Sequence, residues 1–378
     1  MLDTPDAAPM SSAIKLRKVG DWRGIRVLTW NGKTVYGCRG YQIVRLDAGS
    51  RTREQVGDST EWKVVANFHP VWWRNLTSRT RLGSRLVRDG FHALTVLGGQ
   101  SNHATSGRQP LVGAVPSAIV TCASDRDEFR LTHRILRGTR PLHITTVPSG
   151  QIYWGEYFDN RERAEVHIYV STDSGRTWQI AYTFPAGSIR HVHNIVYDRW
   201  ADCLWILTGD EGAECKVIRA SCDLRSVETV LAGTQQARAV AAIPMKDALY
   251  LSTDTPSEKN HVYRLDRDAN AAINIRAVAD LASSSISGCR VGESMFFSTM
   301  VELSAVNASR EVQIAGSKTG LNWQVLARWK KDGLSMRYFQ YGNAFLPDGE
   351  NPTRYLAATT VAVNRDDQVT TMWEVESA

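Results

Sequence analysis

The sequence predicts an all-β protein, a propeller of seven four-stranded blades, with six blades as the alternative. Two observations carry this reading. A strand-like pattern of an apolar residue, an aromatic and then small or polar residues recurs along the chain. Its aromatic positions Tyr153, Trp205, Tyr250, Phe296 and Tyr355 are spaced 52, 45, 46 and 59 residues apart. Between them lie short runs rich in Val, Ile, Tyr and Thr, bounded by Gly, Asp, Asn and Pro, which is how strands joined by turns read. Repeats of this length with four strands each match propeller blades, and no sustained alternation of helix and strand points to a parallel α/β fold.

Taken in order, the expected blades span 12–50, 91–137, 141–184, 190–231, 236–281, 284–330 and 337–376. A lone meander cannot bury both faces of its sheet, so the units are expected to stack into one domain over 1–378. Residues 1–11 read as a flexible lead-in, and 53–90 as an insertion. Within that insertion, residues 70–90 carry Arg74, Arg79, Arg81, Arg85 and Arg88 with no acid before Asp89. Leu82 and Leu86 are four apart, so a short basic helix is expected near 70–90. It reads either as an edge cover with solvated arginines or as a cationic flap.

Composition bounds the function classes. Hydrophobic residues make up 43% of the chain and charged residues 22%, which excludes wholesale disorder. The net charge of +6 suits an acidic ligand. No run is long and apolar enough for a membrane helix, and no motif or aromatic-interleaved basic stripe points to nucleic acid. The start lacks the features of a secretory leader, so a cytoplasmic location is expected. The six cysteines are scattered without a CxxC pair and read as buried free thiols.

The segment Ser171-Thr172-Asp173-Ser174-Gly175-Arg176-Thr177-Trp178 resembles the Asp-box, S-x-D-x-G-x-T-W, of sialidase-like propellers. A degenerate copy, Ser317 to Trp323, begins 146 residues later and lacks the Asp. The resemblance implies a structural turn between the third and fourth strands, away from the ligand face, so Asp173 is not a catalytic candidate. It also implies a carbohydrate-active class that includes hydrolases and uronate lyases. No Arg-Ile-Pro triplet or assignable arginine triad accompanies the boxes.

In an up-and-down blade, the first strand begins and the second strand ends on one face. Residues at those points should gather around the mouth of the propeller. Glu156 and Asp210 are the candidate carboxylate pair for a glycosidase, as acid with base or nucleophile. His191 and His193, two apart on a strand, point the same way. They suit acid–base work or substrate binding, with a divalent metal as a less favoured use. Tyr338 is a further catalytic candidate, because a Tyr or His base with an Arg clamp would serve elimination from a uronate. His143, Tyr157, Arg238, Asp254, His261, Arg290 and Arg337 are the candidate substrate-binding residues. The leading expectation is a glycoside hydrolase acting on an acidic or polar glycan, with no cofactor. A polysaccharide lyase and a non-catalytic glycan- or protein-binding propeller are the alternatives.

Overall fold

A computed structural model describes residues 13–48, 62–71, 73, 74, 77, 83, 89–98, 109–267 and 274–377. Among the described residues seven sheets, antiparallel except for one short edge strand, form a closed ring. Blade 1 runs from Arg26–Asn31 through Thr34–Arg39 and Gln42–Asp47 to Lys63–Asn67. Blade 2 runs from Ala93–Val96 to Arg130–Arg134, and blade 3 from Thr145–Thr146 to Gln179–Phe184. Blades 4, 5 and 6 run from Val192–Asp198 to Val227–Ala232, from Ala239–Pro244 to Ile275–Leu281, and from Ser285–Val291 to Gln324–Lys330. Blade 7 contains Asn343–Phe345, Tyr355–Val361 and Val369–Ser377, and its outermost strand is Ile14–Arg23 from the other end of the chain.

Strand composition follows position in the ring. Second strands lie between neighbouring sheets and are buried on both faces: Cys203–Thr208, Ala248–Thr253, Ser294–Thr299 and Tyr355–Val361 are buried throughout. Outer strands such as Gln179–Phe184 keep a solvent-facing side. Seven apolar clusters fill the gaps between consecutive blades, so no interface in the ring lacks a core. In one, Tyr153 and Ile168 of blade 3 meet Leu204 and Ile206 of blade 4. Each fully buried side chain of this size contributes roughly 1.5–3 kcal/mol.

The expected first unit, 12–50, is corrected in two ways. Ile14–Arg23 leaves it to pair antiparallel with Val369–Ser377, from Ile14↔Ser377 to Arg23↔Val369. This pairing covers strand edges that would otherwise be open where the chain ends meet. Arg17 bridges to Glu374 and Glu376 across the seam, and Arg354 holds Glu374 at 2.9 Å. The fourth strand of blade 1, Lys63–Asn67, comes from within the expected insertion. The last unit also starts later than expected, at Asn343 rather than 337. Most of the expected basic helix lies outside the described residues, as do residues 1–11. Trp73, Arg74, Thr77 and Gly83 are helical, and the Thr77 hydroxyl donates to the Trp73 carbonyl at 3.2 Å.

One short strand has no counterpart in the sequence reading. Asp348–Glu350 pairs in parallel with Thr29–Asn31 and makes blade 1 five-stranded. From this strand Asp348 reaches His143 of blade 3 at 2.8 Å, and Glu350 reaches Arg199 beside blade 4 at 3.1 Å. The neighbouring Leu346 N–H donates to the Ser287 hydroxyl of blade 6 at 2.8 Å. A segment that touches blades 1, 3, 4 and 6 has to cross the central channel.

The Asp-box sits where the resemblance implies, between Val166–Ser171 and Gln179–Phe184. Asp173 accepts the backbone N–H groups of Arg176 and Thr177 at 3.0 and 2.9 Å and the Thr177 hydroxyl at 2.7 Å. Burial pushes the Asp173 carboxyl up, but these hydrogen bonds and one from Ser171 outweigh it and hold it at about 2. Gly175 has φ +80°, and a Cβ there would lie 2.5 Å from Val112 of blade 2. The turn therefore locks blade 3 against blade 2. All six cysteines are free, five of them buried and Cys222 half-buried.

Two predictions follow from this architecture. Removing residues 1–23 should abolish the single cooperative unfolding transition, read by calorimetry; an unchanged transition would refute the closure role of Ile14–Arg23. Asp173→Ala should cost about 1–2 kcal/mol at neutral pH. A carboxyl held low stabilises the fold above its unfolded value and loses that effect as pH falls toward 2. The wild-type-to-variant gap in denaturant unfolding should therefore shrink between pH 5 and pH 2.

Candidate functional site

Blades 3, 4 and 5 meet on the face where first strands begin and second strands end. There His191, His193 and Asp210 converge. His191 Nε2 lies 3.0 Å from His193 Nε2, His193 Nε2 lies 3.3 Å from Asp210 Oδ1, and His191 Nε2 lies 3.5 Å from Asp210 Oδ2. Both imidazoles are buried, whereas the Asp210 side chain is 16% exposed, so the cluster is reached through the carboxylate. It is capable of coordinating a divalent metal.

Local backbone geometry builds this convergence. Val192 pairs with Thr208 and Asn194 with Leu207, leaving His193 as the extra residue of a β-bulge. Bulges re-aim a side chain. The same bulge recurs in blades 1, 5 and 6, where the extra residue is Leu28, Val240 or Ile286. The fold accepts an apolar residue at this point, so a histidine there is not a requirement of the blade. Asp210 follows Gly209, whose φ is +89° and whose Cβ would fall 2.0 Å from the Glu214 carbonyl oxygen. Only glycine lets the strand end turn in so closely.

Charges surround the carboxylate. Arg190 Nη1 lies 3.1 Å from Asp210 Oδ2 and Arg238 Nη2 lies 3.4 Å from Oδ1. Arg238 also donates to the Asp210 carbonyl at 3.1 Å and approaches Asp254 at 3.6 Å. Burial alone would raise the Asp210 carboxyl, but the two histidines pull it well below the usual carboxylate range. Burial pushes the His193 imidazole down, with His191 adding to the effect and Asp210 opposing it. Burial raises Asp254 to about 7 against the lowering effect of Arg238, while Glu302 and Asp210 push it further up. Asp254 Oδ1, Arg190 Nε and Arg238 Nε are buried without a hydrogen-bond partner.

Beside the cluster opens a cavity of about 490 Å³ lined by Tyr157, Asp159, Arg161, Arg190, His191 and Asp210, among others. The Tyr157 ring packs on His191 with centroids 4.3 Å apart. Burial, with Asp210 and Asp254 next, pushes the Tyr157 phenol up to about 12.

The remaining sequence candidates are placed differently. Glu156 is on the same face, and its carbonyl accepts Val192 N–H at 2.9 Å. Its side chain, however, alternates to the other side from Tyr157. There it pairs with Arg137 through both carboxylate oxygens and accepts His167 N–H at 2.8 Å. Glu156 lines a separate cavity of about 210 Å³ with His133, Trp154 and Tyr169. His143 faces Asp348 in the central channel. His261 pairs with Asp280 across to the outer strand of blade 5, at 2.9 Å. Arg290 lies at the end of Ser285–Val291, not at its start, and is therefore on the opposite face, 5.1 Å from the Trp200 ring. Tyr338 is 65% exposed in the loop before blade 7 and packs under Arg337 at 5.5 Å; neither lines the rim cavity. Arg190, directly before the histidine pair, shares the strand start that the sequence places at the mouth, whereas Arg161 lies in a loop that no sequence signal singles out.

No known family profile matches the sequence, and no curated protein matches it. Among solved structures, a chain of the crystal structure of a mitotic checkpoint complex aligns over 100% of this chain and 98% of its own. It does so at 12% identity with a TM-score of 0.53, a likeness of fold alone. A chain of a nidogen/laminin complex aligns over 89% of this chain and 96% of its own, at 10% identity and a TM-score of 0.43. The Asp-box resemblance agrees with the fold in general shape only, as a seven-bladed propeller. Among the described residues no helix is long and apolar enough to cross a membrane.

Glu156→Gln should cost about 1–3 kcal/mol by weakening a buried pair. Ligand binding and any turnover at the rim cavity should stay within about twofold of wild type. Loss of turnover without loss of melting temperature would return Glu156 to the chemistry.

Proposed function

We propose that the chain is a carbohydrate-active propeller that processes a uronate-containing glycan by β-elimination at the rim cavity between blades 3 and 4. The observation that carries this reading is the lining of that cavity, where two arginines, a tyrosine and a histidine–aspartate cluster share one hollow. Elimination breaks the C5–H bond, turns its electron pair into a C4=C5 double bond and expels the glycosidic oxygen from C4. That oxygen leaves with a proton. The step is limited by negative charge accumulating on the uronate carboxylate, and cations fixed around that group lower the barrier.

Arg190 and the exposed Arg161 are the carboxylate clamp, since guanidinium pairs with a carboxylate through two parallel hydrogen bonds. Both now engage Asp159, Arg161 at 2.9 Å, so an incoming carboxylate exchanges one anion for another. Tyr157, which packs on His191 and lines the hollow, is the residue we assign to carry the proton between C5 and the leaving oxygen.

Hydrolysis is the second reading, and one observation favours it. Asp210 and Asp254 both contact Arg238 and are driven to opposite protonation tendencies, the division of labour a carboxylate acid and base require. The hydrolytic pair Glu156 and Asp210 lacks that support, because the two line separate cavities.

Incubation with a panel of uronate polysaccharides should generate the ultraviolet absorbance of an unsaturated uronate. Tyr157→Phe should lower kcat by roughly 100-fold or more with the substrate still bound. New reducing ends without that absorbance would sink the elimination reading in favour of hydrolysis. Binding without turnover on the whole panel would sink both.

A further inference from the structure

We infer that His191, His193 and Asp210 form a binding site for a divalent cation of the zinc type, with its open coordination position facing the rim cavity. The inference rests on the cluster's own geometry and not on the elimination chemistry, so either can fail alone.

The argument begins with the far side of each ring. His191 Nδ1 lies 3.0 Å from the Phe158 carbonyl oxygen, and His193 Nδ1 lies 2.9 Å from the Ala239 carbonyl oxygen. A carbonyl oxygen only accepts, so both Nδ1 atoms carry their hydrogen. In a neutral ring Nε2 is then a bare lone pair. Two such lone pairs meet at 3.0 Å, with carboxylate oxygens 3.3 and 3.5 Å away. Three acceptors packed this closely repel one another unless a positive centre lies among them.

The separations suit a metal ion. Tetrahedral zinc with nitrogen and oxygen ligands at about 2.0–2.1 Å places them about 3.3–3.4 Å apart. The His191–His193 separation of 3.0 Å and the separations of 3.3 Å from His193 to Asp210 Oδ1 and 3.5 Å from His191 to Oδ2 are close to that, the two carboxylate oxygens each facing one ring. The outer hydrogen bonds also fit, because metal-binding histidines commonly donate their other N–H to a carbonyl, which fixes tautomer and ring orientation. Here the backbones of blades 3 and 5 orient two rings of blade 4. Two imidazoles and one carboxylate are a donor set for zinc or its late first-row neighbours, and too poor in oxygen for calcium or magnesium.

The cations around Asp210 set the competition. Arg190 and Arg238 take part of its charge at 3.1 and 3.4 Å, so the carboxylate is shared between guanidinium and metal. A carboxylate has about four lone-pair sites and can serve both. His193 is the residue that departs from the apolar occupant of the equivalent bulges, which ties the metal site to a departure from the blade pattern.

The test uses the full chain, stripped with a chelator and titrated calorimetrically with Zn²⁺ alone, and separately with Mg²⁺ and Ca²⁺. One Zn²⁺ per chain is expected, with affinity at least roughly 100-fold above that for the hard cations. Asp210→Asn and His193→Gln should each weaken uptake by roughly tenfold or more, while His69→Gln at an exposed surface position should not. Histidine nitrogen NMR on the wild-type protein keeps the test decisive if a variant folds poorly. Two Nε2 resonances should move on zinc addition while both Nδ1–H signals persist. Failure to take up Zn²⁺, uptake undiminished in the cluster variants, or a far-downfield proton shared between the two rings and unmoved by zinc would each overturn the site.

Discussion

Closure of the ring is the constraint on which everything else depends. Residues at the rim come from blades 3, 4 and 5, and their separations hold only while each blade is pressed between two others. The antiparallel pairing of Ile14–Arg23 with Val369–Ser377 joins the chain ends and leaves no seam without a partner strand. The apolar wedges between consecutive blades then act in series. A gap in any one would relax the angle between neighbours and spread the Nε2 atoms that now meet at 3.0 Å. Precision at the site is therefore a property of the whole circle.

The blade repeat was legible because a second strand buried on both faces has to be apolar along its length, and such runs recur at blade spacing. The Asp-box turn was legible because its hydrogen bonds and its positive φ admit few residues. Strand swapping between the two chain ends was not legible: Ile14–Arg23 has the pattern of an ordinary outer strand, and nothing in its residues says which sheet receives it. Asp348–Glu350 was hidden for a related reason. Its PDGEN context reads as a turn, and its pairing is supplied by blade 1, more than 300 residues away. His191, His193, Asp210, Tyr157, Arg238 and Asp254 come together because strand ends of adjacent blades share a face. Glu156 lines the other cavity by one step of alternation, since side chains one residue apart point to opposite sides and the sequence does not say which side faces the rim. Arg290 was misdirected by a strand boundary a few residues off, which moved it to the other end of the ring.

His193 shows how local rules and function part company. Expected to point with His191 through simple alternation on a strand, it reaches the cluster through a bulge that three other blades fill with Leu28, Val240 and Ile286. A buried imidazole is costlier there than an aliphatic side chain, because its polar atoms have to be satisfied. The Ala239 carbonyl satisfies one of them and leaves the other aimed at His191 and Asp210. A sequence that departs from its own repeat at a buried position, with a polar atom turned toward His191 and Asp210 instead of an aliphatic side chain, marks a position that the blade pattern alone does not explain.

The crossing strand limits the directions from which a ligand can reach the cluster. With Asp348–Glu350 lying across the channel and anchored to His143 and Arg199, the axis is not the open funnel that a propeller of this size would otherwise offer. Access shifts to the hollow at the blade 3 and blade 4 rim, where Arg161 and Arg190 stand at the entrance and Asp210 at the back. Anions entering there meet guanidinium first and the imidazole cluster second. Asp159 holds both arginines in the meantime, so an anionic ligand has to outcompete one exposed carboxylate rather than water alone. Exposed ion pairs of this kind are worth little. A ligand that presents its carboxylate together with contacts deeper in the hollow therefore displaces Asp159 at small cost, and an isolated carboxylate gains almost nothing.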